Sequence, residues 1–322
     1  MHGARAETSV SDPGRPGHPA RTRGESGVIL VTGATGRVGY RLMEALADAG
    51  ADATAMVRVE AKAADLPGAP RYVVASFDDP PPAETLRGFD RIFLLSPAHE
   101  EQATLETVFI DAVAAAGHRP HIVKIAADGF QDPGCEVRFM RSHRQVAVHL
   151  DALGFPVTYL APSLYMENLM AAADTIRKEA AMAAPAGQGR VGFVAVTDVA
   201  AVAARVLTSP GHDGELYVVT GPEALGYADV AARISAVFAR QVDYEDQPAE
   251  RARELMLAAG MGGWEADGNL ELFEWIRNGG ADTVTDTVRE ITGADPRPIQ
   301  DWLDDARASF IGPPPDLPLP AF

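Results

Sequence analysis

Val28-Ile29-Leu30-Val31-Thr32-Gly33-Ala34-Thr35-Gly36-Arg37-Val38-Gly39 is the stretch that decides the fold of this 322-residue chain. Its first four residues have the composition of a short strand buried in a parallel sheet. The glycines that follow are spaced Gly33-x-x-Gly36-x-x-Gly39. Leu42, Leu46 and Ala49 then recur at helical spacing until Gly50 ends the helix. A strand, a glycine turn and a helix N-terminus in that order make a phosphate cradle. Gly33 permits the sharp turn, Gly36 lets backbone approach a pyrophosphate, and Gly39 allows helix and sheet to pack closely. Backbone N–H groups and the positive end of the helix dipole meet the anion. Thr35, Arg37 and Val38 complete the loop and are assigned to the same cradle.

Outward from this loop, Thr54-Ala55-Met56-Val57 is predicted as the second strand. Its end chooses the dinucleotide. NAD sites place a carboxylate there for the ribose hydroxyls. This chain has Arg58, with Lys62 four residues on, and Glu60 past the usual site. A guanidinium there attracts the 2′-phosphate of NADP(H). Tyr72-Val73-Val74, Ile92-Phe93-Leu94-Leu95, Ile122-Val123-Lys124-Ile125 and Pro156-Val157-Thr158-Tyr159-Leu160 are the next strands. Leu95 and Ser96, at the end of the fourth strand, are assigned to the cofactor site. Helices are predicted over 100–116, with Leu105, Val108, Phe109 and Ala112 as its apolar stripe, and over 136–152. Strands alternating with amphipathic helices predict an α/β, Rossmann-type, doubly wound parallel sheet. The NADP-binding domain is placed at 28–160.

The pattern changes beyond residue 161. A loop over 162–168, an alanine-rich helix near 169–183, strands at 191–196 and 216–219, and helices over 199–207, 227–239, 249–259, 265–277 and 298–309 are predicted. Residues 161–310 are read as a smaller, mostly helical substrate lobe with elements returning to the Rossmann core. Residues 1–27 carry arginines among Gly, Pro and Ser without a following apolar run, and are read as a disordered extension or a start-site artefact and not as a secretory signal. Residues 311–322 are read as an extended tail.

The formal charge is 28 − 45 = −17. A body this acidic repels phosphate backbones and anionic lipid, which argues against nucleic acid and membrane as partners. The single cysteine, Cys135, allows no intrachain disulfide, in keeping with a reducing cytoplasm. His118 and His121 lack companion ligands at metal spacing, so no metal site is assigned. The partner expected is a small molecule; an oligomer is left open.

The glycine loop with Arg58 and Lys62 resembles the NmrA-like branch of the atypical short-chain dehydrogenases/reductases. His143-Arg144 ahead of Leu153-Gly154-Phe155-Pro156-Val157-Thr158-Tyr159-Leu160 is similar to the family's H-R…S-G-x-P-x-T-x-L run. Pro162-Ser163-Leu164-Tyr165-Met166-Glu167-Asn168 is similar to its R-P-x-x-F-M-E-N segment, with Ala161 in place of the arginine and Tyr165 in place of the phenylalanine. Phe193 to Ala200, Tyr217 to Pro222 and Val288 to Pro298 resemble later landmarks, so the likeness runs in order over about 28–310. The resemblance implies NADP(H) more firmly than it implies a reaction. The family includes quinone and azo-type reductases, reductases of aromatic natural products, and redox-sensing regulators without catalysis.

Ordinary short-chain dehydrogenases use a Tyr-x-x-x-Lys pair on one helix face and a Ser after strand five. Here the matching positions read Phe139-Met140-Arg141-Ser142-His143, and the serine position reads Ala126. His143, in the lysine's place, has three readings: hydrogen-bonding the nicotinamide ribose, donating a proton near neutral pH, or simple packing. Lys124 is kept as a catalytic candidate that steers an acidic substrate, against a structural lysine that snorkels outward. Tyr165 offers a phenol in place of the lost hydroxyl and Asn168 can bind a carbonyl. Both, with Phe139, are expected to line the substrate pocket. The leading expectation is an NADPH-dependent reductase of quinone-like or conjugated carbonyl acceptors, whose oxyanion is delocalised and needs less acid catalysis. The alternatives are a non-catalytic NADP-sensing regulator and a redox-neutral isomerase or dehydratase.

Overall fold

The computed structural model describes residues 27–68 and 70–311. The extension expected over 1–27 and the tail over 311–322 lie, apart from Gly27 and Ile311, outside these residues. The strands are β1 (Val28–Val31), β2 (Asp52–Val57), β3 (Arg71–Val74), β4 (Arg91–Leu94), β5 (His121–Ile125), β6 (Val157–Pro162), β7 (Ala181–Ala184), β8 (Arg190–Val191), β9 (Leu216–Val219), β10 (Leu225–Gly226) and β11 (Asp243–Asp246). The α-helices are α1 (Arg37–Asp48), α2 (Ala83–Leu86), α3 (Gln102–Ala115), α4 (Arg138–Leu153), α5 (Ala173–Glu179), α6 (Val196–Thr208), α7 (Tyr227–Phe238), α8 (Ala249–Ala258), α9 (Gly263–Arg277), α10 (Thr287–Thr292) and α11 (Ile299–Ile311).

These elements pack as two compact units whose segments alternate along the chain: 27–126, 142–160 and 199–217 in the first, and 127–141, 161–198 and 218–311 in the second. The first is built on a seven-stranded sheet of order β3-β2-β1-β4-β5-β6-β9. Pairings from β3 through β6 are parallel. The chain winds outward from β1 to β3, then returns to the other side of β1 at β4. That reversal makes a switch point at the carboxyl ends of β1 and β4, where ligands of open α/β sheets bind. Leu30, Ile92, Leu94 and Ile122 of the sheet pack against Phe109, Ile110 and Val113 of α3 and Val146 and Leu150 of α4.

The second unit has its own core, with Met166, Ile176, Phe193, Ile234, Trp302 and Phe310 among its buried members. Two small sheets brace it, β7 with β11 in parallel and β8 with β10 antiparallel. The alanine-rich helix expected near 169–183 is cut short. A 3₁₀ segment, Met166–Ala172, precedes α5, and Ala180 turns left-handed at φ 55° before β7 begins. A left-handed alanine costs about 1–2 kcal/mol. Pairing of Ala181–Ala184 with Asp243–Asp246 prevails over alanine's helix propensity. The strand expected at 191–196 is likewise reduced to Arg190–Val191 and one bridge between Val194 and Tyr165, because α6 already starts at Val196. Among the described residues no helix is long and apolar enough to cross a membrane.

Candidate functional site

The glycine loop lies at the switch point of the first unit and is stapled there by Thr32. Thr32 N donates to Phe93 O at 3.0 Å. Its Oγ1 lies 3.0 Å from the carbonyl oxygens of Phe93 and Leu95 and accepts the Leu95 N–H at 2.9 Å. These bonds fix the end of β1 to the end of β4, so Leu95 is part of the cradle's wall. Gly33 has φ +61°, and a Cβ there would lie 2.7 Å from Leu95 O. At Gly39 a Cβ would stand 2.1 Å from Gly33 O. Only glycines let the strand end, the turn and the first helical turn come this close. Gly36 caps α1 without a side-chain hydrogen bond, and the first turn holds no acidic residue. Its N–H groups are therefore open to an anion. Thr35, Gly36 and Arg37 are exposed, while Val38 and Gly39 are buried beneath them. This cradle of missing side chains fits a dinucleotide pyrophosphate.

Arg58 follows the last residue of β2 and is exposed. Among the described residues it has no hydrogen-bond or ion-pair partner. Glu60, two residues past Arg58, accepts the Tyr72 hydroxyl at 2.6 Å. Lys62, exposed in the 3₁₀ turn Glu60–Ala63, stands 3.7 Å from Asp65. Both cations lie on the first unit's surface just past β2, where a ribose phosphate would be met.

Lys124 departs from both readings offered for it. Its side chain is 1% exposed and neither snorkels outward nor reaches the surface. Nζ lies 3.0 Å from both Glu106 carboxylate oxygens and 2.5 Å from Ile125 O. Ser96 is drawn into the same cluster, its Oγ donating to Glu106 Oε1 at 2.6 Å. Gln102 Nε2 is 3.5 Å from that oxygen. Lys124 is thus enclosed in a buried polar cluster with Glu106 and the Ile125 carbonyl. Glu106 and Gln102 were missed because the stripe on α3 runs through Gln102, Glu106, Phe109, Ile110 and Val113, and polar residues in it disguise the helical phase. Val108, placed on the expected stripe, is 41% exposed.

His143, near the start of α4, is partly exposed as a residue, but its Nδ1 is buried without a hydrogen-bond partner. Burial first, and the Lys124 ammonium second, hold its pKa well below the usual histidine value. An NMR titration is expected to find this ring neutral at about pH 6, where an ordinary histidine is mostly protonated. The unfolded chain takes up a proton as pH falls below about 6.5, and the native ring does not. This contribution to stability is therefore complete above about 6.5 and is lost as pH falls from there toward the native value. His143→Gln should flatten that loss in pH-dependent denaturation curves; a ring titrating at an ordinary value would contradict it.

The remaining candidates belong to the second unit. Phe139 packs edge-to-face on Trp264 at 5.3 Å between centroids, and a Cβ on Gly268 would lie 2.5 Å from its ring. The phenylalanine in the tyrosine's place is thus a packed side chain. Tyr165, half-buried, precedes the 3₁₀ segment that contains Asn168, which is exposed. Asp128 and Ser163 were not among the candidates. Both are buried with an unpartnered side-chain oxygen. Neither belongs to a recognisable motif, and their burial is visible only in three dimensions.

Comparisons with known proteins agree with this geometry. The sequence profile of the NmrA-like family matches residues 25–275. A protein of Xenophilus azovorans named NAD(P)H azoreductase is 32% identical over 286 residues, spanning 87% of this chain and 97% of that protein. A (4-alkanoyl-5-oxo-2,5-dihydrofuran-3-yl)methyl phosphate reductase of Streptomyces griseus is 33% identical, spanning 88% of this chain and 99% of that protein. Among solved structures, an NADPH-dependent quinone oxidoreductase of Escherichia coli in complex with NADPH superposes with a TM-score of 0.79 at 23% identity. It covers 87% of this chain and 100% of that one.

Proposed function

The chain belongs to the NmrA-like family, and from that premise we propose that it is an NADPH-dependent reductase of quinone-like or conjugated carbonyl small molecules. One observation carries the cofactor: a glycine cradle at the switch point, beside an exposed Arg58 that has no partner among the described residues. Gly33, Gly36 and Gly39 with the first turn of α1 would hold the pyrophosphate. Arg58 and Lys62 would hold the adenosine phosphate. When bound, the reduced nicotinamide supplies a hydride. His143, kept neutral, is suited to hydrogen-bonding a ribose hydroxyl and poorly suited to giving up a proton. Burial first, and the Lys124 ammonium second, hold it so.

The acceptor class rests on chemistry and on relatives. Ala126 and Phe139 withdraw the hydroxyls that reduction of a simple ketone needs, and a conjugated acceptor spreads the oxyanion's charge. The Streptomyces relative's substrate, by its name, bears a carbonyl conjugated with a ring double bond. Arg58→Ala is expected to weaken NADPH by about 1.5–3 kcal/mol, a charge-assisted phosphate contact, while leaving NADH nearly unchanged. Calorimetric titration of both nucleotides checks it, and equal losses would remove the assignment. The same missing hydroxyls favour a second reading, an NADP-responsive regulator. It predicts nucleotide-dependent association with another protein and no NADPH oxidation with any quinone or conjugated ketone.

A further inference from the structure

A second polar cluster lies wholly within the first unit. It gathers at the amino ends of β4, β5 and β6, the opposite end of these parallel strands from the glycine loop. Arg91 opens β4, His121 opens β5, and Thr158 is the second residue of β6. The loop 209–215, which joins α6 to the edge strand β9, is tied to all three strands' ends. Arg91 Nη1 donates to Val206 O at 3.1 Å and to Ser209 O at 2.9 Å, a cation at the C-terminal end of a helix dipole. The Gly214 N–H donates to Val157 O at 2.8 Å, and the Tyr159 N–H donates to Glu215 O at 2.9 Å. The Thr158 hydroxyl adds a further tie by donating to His212 O.

Counting protons fixes the state of the two rings in this cluster. Thr158 has one hydroxyl proton and spends it on His212 O, so its Oγ1 accepts from His121 Nε2, 2.8 Å away. Ser209 spends its proton on Arg205 O at 2.6 Å, so its Oγ accepts from His212 Nε2 at 3.1 Å. His212 Nδ1 then carries a lone pair, and it accepts the Tyr217 hydroxyl at 2.9 Å. That last bond holds only while the ring is neutral.

We propose that His121 and His212 form an acid-sensitive latch: as neutral rings they hold the 209–215 loop and β9 on β6, and their protonation releases both. A proton on His212 Nδ1 turns the acceptor of the Tyr217 hydroxyl into a donor and sets a new charge near Arg205 and Arg91. A proton on His121 Nδ1 sets another near Arg91. The charged groups that face the pair are Arg91 from β4, Arg205 from α6, and Asp213 and Glu215 from the loop itself, with Asp90 acting on Arg91. Burial first and Arg91 second lower the pKa of His121, against Asp213. Burial first, then Arg205 and Arg91, lower that of His212, against Glu215. In the released loop both rings return to about 6.5. The latch is therefore at full strength above about pH 6.5 and weakens as pH falls from there toward the native values. Release strips the sheet of its last strand and bares the edge of β6.

Residue-resolved hydrogen exchange, corrected for the intrinsic effect of pH, reads the latch directly. Between about pH 7.5 and 5.5 the Gly214 and Tyr159 amides are expected to lose protection by up to about tenfold for each histidine that takes up a proton. The Ala75 amide, which donates to Val57 O at 3.0 Å near the sheet's other edge, should keep its protection over the same range. His121→Gln with His212→Gln should make the loop amides insensitive to pH. Tyr217→Phe needs no change of histidine. It removes the hydroxyl that favours the neutral ring, so the NMR titration of His212 and the loss of loop protection should both move to higher pH. Loop amides that lose protection only in step with Ala75 overturn the latch. So does a double variant that keeps the wild-type pH dependence, or a Tyr217→Phe protein whose His212 titrates as in wild type.

Discussion

Gly39→Ala is expected to abolish measurable NADPH binding and to lower the melting temperature of the whole chain. The added Cβ would sit 2.1 Å from Gly33 O, 2.7 Å from Gly33 C and 2.8 Å from Ala34 Cα. All three are backbone atoms, so no side-chain rotation relieves the clash. Either the first turn of α1 lifts away from the loop or the loop leaves Leu95. Overpacking of this kind costs about 1–3 kcal/mol. The larger loss is functional, because the open N–H groups of the first turn of α1 move with the helix. Gly50→Ala is the control. Gly50 also has a positive φ, of 66°, but a Cβ there meets nothing within 4 Å. It should cost about 1–2 kcal/mol of backbone strain and leave nucleotide affinity intact. Calorimetry and thermal melts on the two variants separate site from fold. A Gly39→Ala protein that binds NADPH like wild type would mean that the cradle is not where the pyrophosphate rests.

The first unit was largely legible because its signals are local. β1 through β6 are short apolar runs bounded by turn residues, and they appear within one or two residues of their expected bounds. The glycine loop could be read because strand, spacing and helix are contiguous. What failed was long-range. β7 and β11 pair across some sixty residues, and nothing in Ala181–Ala184 marks it as a strand when read alone. Burial of polar residues failed for the same reason. Lys124 sits inside a strand that otherwise reads as apolar, and Glu106 sits four residues after Gln102 on α3. Each alone looks like a solvated charge. Only when β5 and α3 pack do they become a pair, and the pairing is what permits either to be buried.

That pair makes the second large prediction. Glu106→Ala leaves the Lys124 ammonium in a site with about 1% exposure and deprives Ser96 Oγ of its acceptor. Breaking one side of a buried ion pair costs about 3–5 kcal/mol, a large share of the about 5–15 kcal/mol that holds a domain folded. Replacing both sides, Glu106→Leu with Lys124→Met, removes the orphaned charge and should recover most of that loss, since an apolar pair of similar volume is often no less stable. Full recovery is not expected, because Ser96 still lacks its acceptor, at about 1 kcal/mol. The double variant has a consequence the single one lacks. With the ammonium gone, one of the two causes holding His143 neutral disappears, and its pKa should rise while burial keeps it below the usual value. Urea midpoints read the first effect and an NMR titration of His143 the second. A double variant as unstable as Glu106→Ala, with His143 titrating as in wild type, would show that the cluster is ordinary packing and does not influence the protonation of His143.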